Sequence, residues 1–191
     1  MKQKLFLIVV LLSNILLAQK NDSLKRVFLK NLMNERFKES IHEYKGKELP
    51  PFELTQLNGK KLNSQSLKGK PTVINFWFSS CQPCRDEIPL LNEIKSEFKN
   101  KVNFISLTFQ TRNEVQEFLK TNNFNFIHLI ESREYIKTFG SIGYPKTLIL
   151  DKNLKIIEIK NKIPNDIENE KKNKSKFKSQ LSNLLIELIK L

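Results

Sequence analysis

The chain has 191 residues, a formal net charge of +13, and only two cysteines, Cys81 and Cys84. That length suits one domain with a sizeable core plus short extensions. The cysteine count argues against a closed tetrahedral zinc site, because only His42 and His128 could join the two thiols and neither stands in ligand spacing with the other. The lysine excess is compatible with nucleic acid, anionic lipid headgroups or acidic proteins as partners, or simply with a solvated lysine-biased surface.

The N-terminus reads Met1-Lys2-Gln3-Lys4, then an apolar stretch from Leu5 to Leu17 broken by Ser13 and Asn14, then Ala18-Gln19-Lys20. This is the pattern of an export signal over residues 1–18, which places the protein in the periplasm or cell envelope. Export argues against nucleic acid as a partner. Leu16 stands where a small residue is expected before the cut, so an uncleaved anchor is the alternative; no cysteine follows to carry a lipid. Residues 19–46 read as an N-terminal helical extension, with apolar spacing of three to four from Asp22 to Tyr44, closed by Pro50 and Pro51.

The main domain is expected over residues 47–163. Phe52 to Leu57 alternates with period two, Asn58-Gly59 is a hairpin turn, and Lys60-Lys61-Leu62 is the return strand. Ser64 to Lys68 is a helical turn. Thr72 to Phe78 is a nearly unbroken apolar run, the mark of a strand covered on both faces. Asn75 is its polar exception, either a satisfied core amide or a proton conductor for a nearby thiol. The Cys81-Gln82-Pro83-Cys84 segment follows and opens a helical pattern through Ile88, Leu91, Ile94 and Phe98.

Two thiols three residues apart, between a buried strand and a helix start, can open and close as a redox pair. As a structural staple the pair is poor, since a loop this short contributes about 2 kcal/mol. The helix N-terminus offers unpaired N–H groups and positive potential that stabilise a thiolate, and Pro83 fits the first turn, where no intrahelical bond is lost.

Strands and helices then alternate: a strand over Val102 to Phe109, a helix over Asn113 to Lys120, a strand over Asn125 to Ile130 and a short helix over Ser132 to Phe139. This alternation predicts an α/β fold with parallel pairing through crossovers. Leu148 to Leu150, the turn Asp151 to Asn153 and Lys155 to Ile159 form a hairpin. Pro145 suits an edge or a loop entry, and a cis Tyr144-Pro145 bond is the sharper expectation. Residues 164–191 form a lysine-rich linker and a C-terminal amphipathic helix, with Phe177, Leu181, Leu184, Leu185, Leu188 and Ile189 as its apolar stripe. Docking on the domain is its default role; association with a membrane surface through the lysine-rich tail, or through an uncleaved signal, is the other.

Phe76-Trp77-x-x-x-Cys81-x-Pro83-Cys84-Arg85-x-Glu87-x-Pro89, with Gly143-x-Pro145-x-Thr147-Leu148-x-x-Leu150-Asp151 downstream, resembles the exported thioredoxin-like proteins of the TlpA/ResA type over about Leu49 to Ile159. The resemblance implies a thioredoxin-like fold, with a central mixed β-sheet flanked by helices, an N-terminal β-hairpin and the C-terminal helix appended. It implies a thiol-disulfide oxidoreductase with no cofactor beyond the Cys81–Cys84 disulfide. Cys81 maps to the nucleophilic thiol, Cys84 to the resolving thiol, Pro145 to the proline facing the disulfide, and Glu87 to an acidic residue that tunes the pair. Without the resemblance, Glu87 reads only as a favourable acidic residue in the first turn of a helix. Trp77, Gln82, Pro83 and Tyr144 are expected at the substrate groove, with a packing role as the equal alternative for Tyr144. Ser80 departs from the tryptophan of many relatives and is expected to leave Cys81 less covered. Asn75 replaces the buried aspartate of cytoplasmic thioredoxins and agrees with the ResA-like members.

The expected partners are protein disulfides and a membrane electron donor that restores the dithiol, in cytochrome c maturation or general redox homeostasis. The direction, reduction or oxidation, is left open by these residues. A peroxiredoxin-like thiol peroxidase is the second enzyme reading, weakened because no Pro-x-x-x-Thr-x-x-Cys arrangement precedes Cys81. A redox-inert binding module with the same fold is the third.

Overall fold

The computed structural model describes residues 40–164, 166 and 168–191, together with Lys25. The expected signal over residues 1–18, and the expected helical extension up to residue 39 apart from Lys25, lie outside the described residues. The chain divides into two units, Met1–Lys38 and Glu39–Leu191, the second of which holds the whole β-sheet. This unit starts ahead of the expected boundary at residue 47. Ser40–Tyr44 is a 3₁₀ turn whose Ile41 is fully buried, and Gly46 and Lys47 exchange backbone hydrogen bonds with Ile156.

Seven strands form one sheet in the order β2-β1-β5-β4-β3-β6-β7. They are β1 (Glu53–Gln56), β2 (Lys61–Asn63), β3 (Thr72–Phe76), β4 (Asn103–Leu107), β5 (Ile127–Ile130), β6 (Lys146–Leu150) and β7 (Ile156–Asn161). The helices are α1 (Gln82–Glu97), α2 (Arg112–Thr121), α3 (Arg133–Lys137) and α4 (Glu170–Lys190). β3 pairs in parallel with β4, and β4 with β5, as the strand–helix alternation predicts. The two hairpins add antiparallel partners at the flanks: β1 on β5, and β6 on β3. In the first hairpin Gly59 sits at φ +89 and donates to Gln56 O, a backbone position that Asn-Gly serves without strain.

Every residue of β3 is buried. Because strand side chains alternate, Val73 and Trp77 enter one core layer with Cys81, Cys84, Ile88, Leu91 and Ile94, while Ile74 and Phe76 enter the other with Ile105, Leu107, Leu148 and Phe139. The stripe of α4 is divided between these roles: Phe177, Leu181, Leu185 and Leu188 are buried in the layer that holds the cysteines, and Leu184 and Ile189 pack at its margin. Docking on α1 is therefore what the C-terminal helix does. Its apolar face is spent on the core, so insertion of that face into a membrane would require undocking. Among the described residues no helix is long and apolar enough to cross a membrane.

Candidate active site

Cys81 and Cys84 are joined by a disulfide, with Cα atoms 5.3 Å apart. Cys81 is the N-cap of α1: its Sγ accepts from Cys84 N at 3.2 Å, and its carbonyl accepts from Arg85 N at 3.1 Å. Pro83 occupies the first turn, as its missing N–H allows. Gln82 is exposed and Pro83 half-buried, whereas Cys81 and Cys84 are only 5 % and 2 % exposed. Cys81 is thus well covered even with an exposed Ser80 before it.

Three loops meet at this end of the sheet, two of them leaving the carboxyl ends of the parallel strands β3 and β4, where sites form in open α/β sheets. The third leads into β6 through a cis Tyr144-Pro145 bond. Pro145 is a loop entry and not an edge, since β6 lies between β3 and β7. Tyr144 is half-buried against Phe78, with ring centroids 5.2 Å apart, and Phe78 lies 5.7 Å from Phe109. The exposed Arg133 sets its guanidinium 4.8 Å from the centre of the Phe109 ring. Burial raises the Tyr144 hydroxyl above the usual phenol range, opposed by the charge of Arg133.

Two polar devices hold these loops. Gln110 accepts from Ser79 N at 2.7 Å and donates to Ser79 Oγ at 2.8 Å, tying the β4 loop to the one that carries Cys81. Ser40 Oγ donates to Phe139 O and accepts from Ser141 N. Gly140 lies between them at φ +71, and a Cβ there would run into Ser40 Oγ, so glycine is required. Sequence reasoning missed Gln110, Phe109, Phe78 and Arg133 as parts of the site. Phe78 and Phe109 close two predicted strands, and their position at strand carboxyl ends was the available signal.

Glu87 is 3 % exposed and its Oε1 accepts from Ile163 N at 2.6 Å. It is not in the first turn, where its helix-dipole reading placed it: α1 begins at Gln82, so Glu87 lies in the second turn, facing inward. Its carboxyl is pushed up to about 7, chiefly by burial; the Ile163 amide and Lys146 oppose that and Asp86 adds to it. Asn75 is also buried, and its Nδ2 donates to Thr147 Oγ1 at 3.0 Å and to Lys146 O at 3.4 Å. Its side chain is a satisfied core amide between β3 and β6.

Trp77 does not line a groove. It is fully buried, packed on Phe118, Phe124 and His128 with ring centroids 4.9, 5.3 and 6.0 Å away, so no surface is left to meet a substrate. His128 is structural too: Nε2 lies 2.9 Å from Phe124 O, an acceptor only, so Nε2 carries the proton and Nδ1 accepts from Ser106 Oγ at 2.5 Å. Burial pushes the His128 pKa down to about 4, with the charge of Lys95 assisting and the Phe124 carbonyl opposing, so the ring is neutral at neutral pH. Among the described residues no group of three or more His, Cys, Asp or Glu side chains is placed to hold a metal ion.

The AhpC/TSA family matches residues 45–159, more than half of the chain. The thiol-disulfide oxidoreductase ResA of Bacillus thuringiensis subsp. konkukian is 39% identical over 121 residues, covering 61% of this chain and 70% of the relative. The chain belongs to the AhpC/TSA family, among the TlpA/ResA-type thiol-disulfide oxidoreductases. The thioredoxin-like protein YneN of Bacillus subtilis is 30% identical over 133 residues, covering 68% of this chain and 78% of the relative. A secreted Mycobacterium tuberculosis disulfide oxidoreductase shares the fold, with a TM-score of 0.56 at 23% identity over 72% of this chain and 96% of the other. This AhpC/TSA member is therefore an oxidoreductase with the thioredoxin-like architecture that its motifs imply.

Proposed function

We propose that the protein is exported and reduces protein disulfides through Cys81 and Cys84. The observation that carries this reading is the Cys81–Cys84 pair itself, capping the N-terminus of α1 beside a rim of half-exposed aromatic rings. The signal-like residues 1–18 and the secreted mycobacterial relative support export.

In the reduced protein the free N–H groups of the first turn of α1 stabilise a thiolate at Cys81. That thiolate attacks one sulfur of a substrate disulfide; the substrate bond breaks, one substrate sulfur leaves as a thiolate, and a mixed disulfide with Cys81 remains. Cys84 gives its proton to the Glu87 carboxylate and attacks Cys81 Sγ, which expels the second substrate thiolate. Glu87 then releases the proton to solvent, where the substrate thiolates take up two. The substrate has gained two electrons and the protein has lost them, ending as the Cys81–Cys84 disulfide.

Pro145, Tyr144, Gln82 and Pro83 border the approaching substrate chain. Asn75 acts as a positioning residue, since its amide holds Thr147 two residues past Pro145 and has no proton to exchange in this pH range. A membrane electron donor restores the dithiol, in service of cytochrome c maturation or of envelope redox homeostasis.

The deciding experiment is equilibration of the purified protein with glutathione or dithiothreitol buffers. A potential near the roughly −270 mV of thioredoxin, or lower, supports a reductase. A potential near the roughly −120 mV of DsbA would instead make the protein a disulfide-forming oxidant and overturn the proposed direction.

A further inference from the structure

Glu87 follows Cys84 by three residues on α1, a spacing that puts both on one helix face with Cβ atoms about 5–6 Å apart. The group that holds its carboxyl comes from outside the span matched to the family, which ends at residue 159. It is the Ile163 amide, in the connection between β7 and α4, at 2.6 Å from Glu87 Oε1. Beside this bond lies a crevice of about 20 Å³, lined by Pro83, Glu87, Ile163 and Pro164 among others, with room for a single water.

The connection is held there from its far end. Phe177, Leu181, Leu185 and Leu188 of α4 share a core layer with Cys84, Ile88, Leu91 and Ile94 of α1. Lys178 adds ion pairs to Glu93 at 2.5 Å and Glu97 at 2.7 Å.

We propose that the segment after β7 is a working part of the redox site, in which the Ile163 amide positions the Glu87 carboxylate and the adjoining crevice carries its proton to and from solvent. This rests on the reading of Glu87 as the proton partner of Cys84. The charged groups around the carboxyl are few. Asp86 on α1 and Glu170 and Lys174 on α4 line the crevice, the last two paired with each other at 2.6 Å, and Lys146 acts on Glu87 from β6. An N–H aimed at an oxygen favours the ionised form, so the amide lowers the carboxyl's midpoint, and its loss raises it. Ile163 is thus a positioning residue, acting through Glu87.

The test is made on the full chain with its disulfide intact, by NMR titration of the Ile163 amide proton and the Glu87 side-chain carboxyl carbon. In the wild type both signals are expected to move with one shared midpoint near neutral pH, and the amide shift should vanish in Glu87→Gln. An Ile163 amide that stays flat from about pH 5 to pH 9 while the carboxyl titrates overturns the proposal without any variant having to fold.

Ile163→Pro, which removes the N–H, is expected to raise the carboxyl midpoint by about one pH unit, while Ile163→Ala, which keeps it, leaves the midpoint in place. Equal shifts in the two variants would assign the effect to packing and overturn the positioning role. Disulfide reduction and the pH profile of thiol alkylation, measured on the reduced samples, separate the hold of the amide on Glu87 from the service of Glu87 to the dithiol. If the alkylation midpoint ignores Ile163→Pro while the carboxyl midpoint moves, the amide holds Glu87 but Glu87 does not serve the dithiol, and the redox role of the segment falls. Absence of disulfide reduction in the wild type would sink the proposed function instead, leaving the carboxyl titration standing.

Discussion

Replacing Glu87 with glutamine should stabilise the oxidised protein at alkaline pH and leave it nearly unchanged in acid. The carboxyl is 3 % exposed, and its pKa rises from 4.5 to about 7, with burial as the largest cause. A folded-state value above the unfolded one means that the folded chain binds the proton more tightly, so wild-type stability is lost as pH climbs from 4.5 to about 7 and stays low above that. At 1.36 kcal/mol per pKa unit this rise is worth about 3 kcal/mol. Glutamine has nearly the same shape, keeps an oxygen for the Ile163 N–H and does not ionise. Urea unfolding of both proteins, with the disulfide intact, should therefore show curves that nearly coincide near pH 4 and a gap of about 3 kcal/mol favouring the variant near pH 8. A gap that does not change between these pH values, or one that favours the wild type at pH 8, would refute the reasoning, because burial would then not be charging a cost to the ionised form.

Cys84→Ser should hold substrates as mixed disulfides on Cys81, seen as adducts that dissolve under dithiothreitol; an absence of adducts with any reducible protein would contradict the assigned order of attack. Gln110→Ala removes both bonds to Ser79 and should cost about 1–3 kcal/mol of stability along with a slower disulfide reduction. An unchanged unfolding curve would show that the tie between the two loops is idle. Leu181→Ala, at a fully buried position of α4, should cost about 2–5 kcal/mol in denaturant. A cost below about 1 kcal/mol would mean that the C-terminal helix is not part of the same cooperative core.

Much of the fold was legible because its cues are local. Period-two alternation ending in Asn58-Gly59 marked the first hairpin, and the apolar run from Val73, broken by Asn75, marked a strand buried on both faces. The spacing of Cys81 and Cys84 at a strand-to-helix junction marked the pair that is found bonded. The same local reasoning misjudged Glu87, since a carboxylate near a helix start looks like a dipole partner until the cap is located at Cys81. It misjudged Trp77 as well: an aromatic residue one position past a core strand lines a rim or fills a core, depending on what packs over it, and here Phe118 and Phe124 do.

By itself, the sequence determined the elements, their order, the redox pair and the family, because periodicity, caps and short motifs are properties of neighbouring residues. Only the tertiary structure decided which distant groups finish the site. Gln110 reaches Ser79 across 31 residues, and Ile163 reaches Glu87 across 76. A backbone amide has no side-chain identity to read in a sequence. Its partner is chosen by the docking of α4 on α1, where the apolar stripe of one helix meets the apolar face of the other and brings the chain before it against the redox helix.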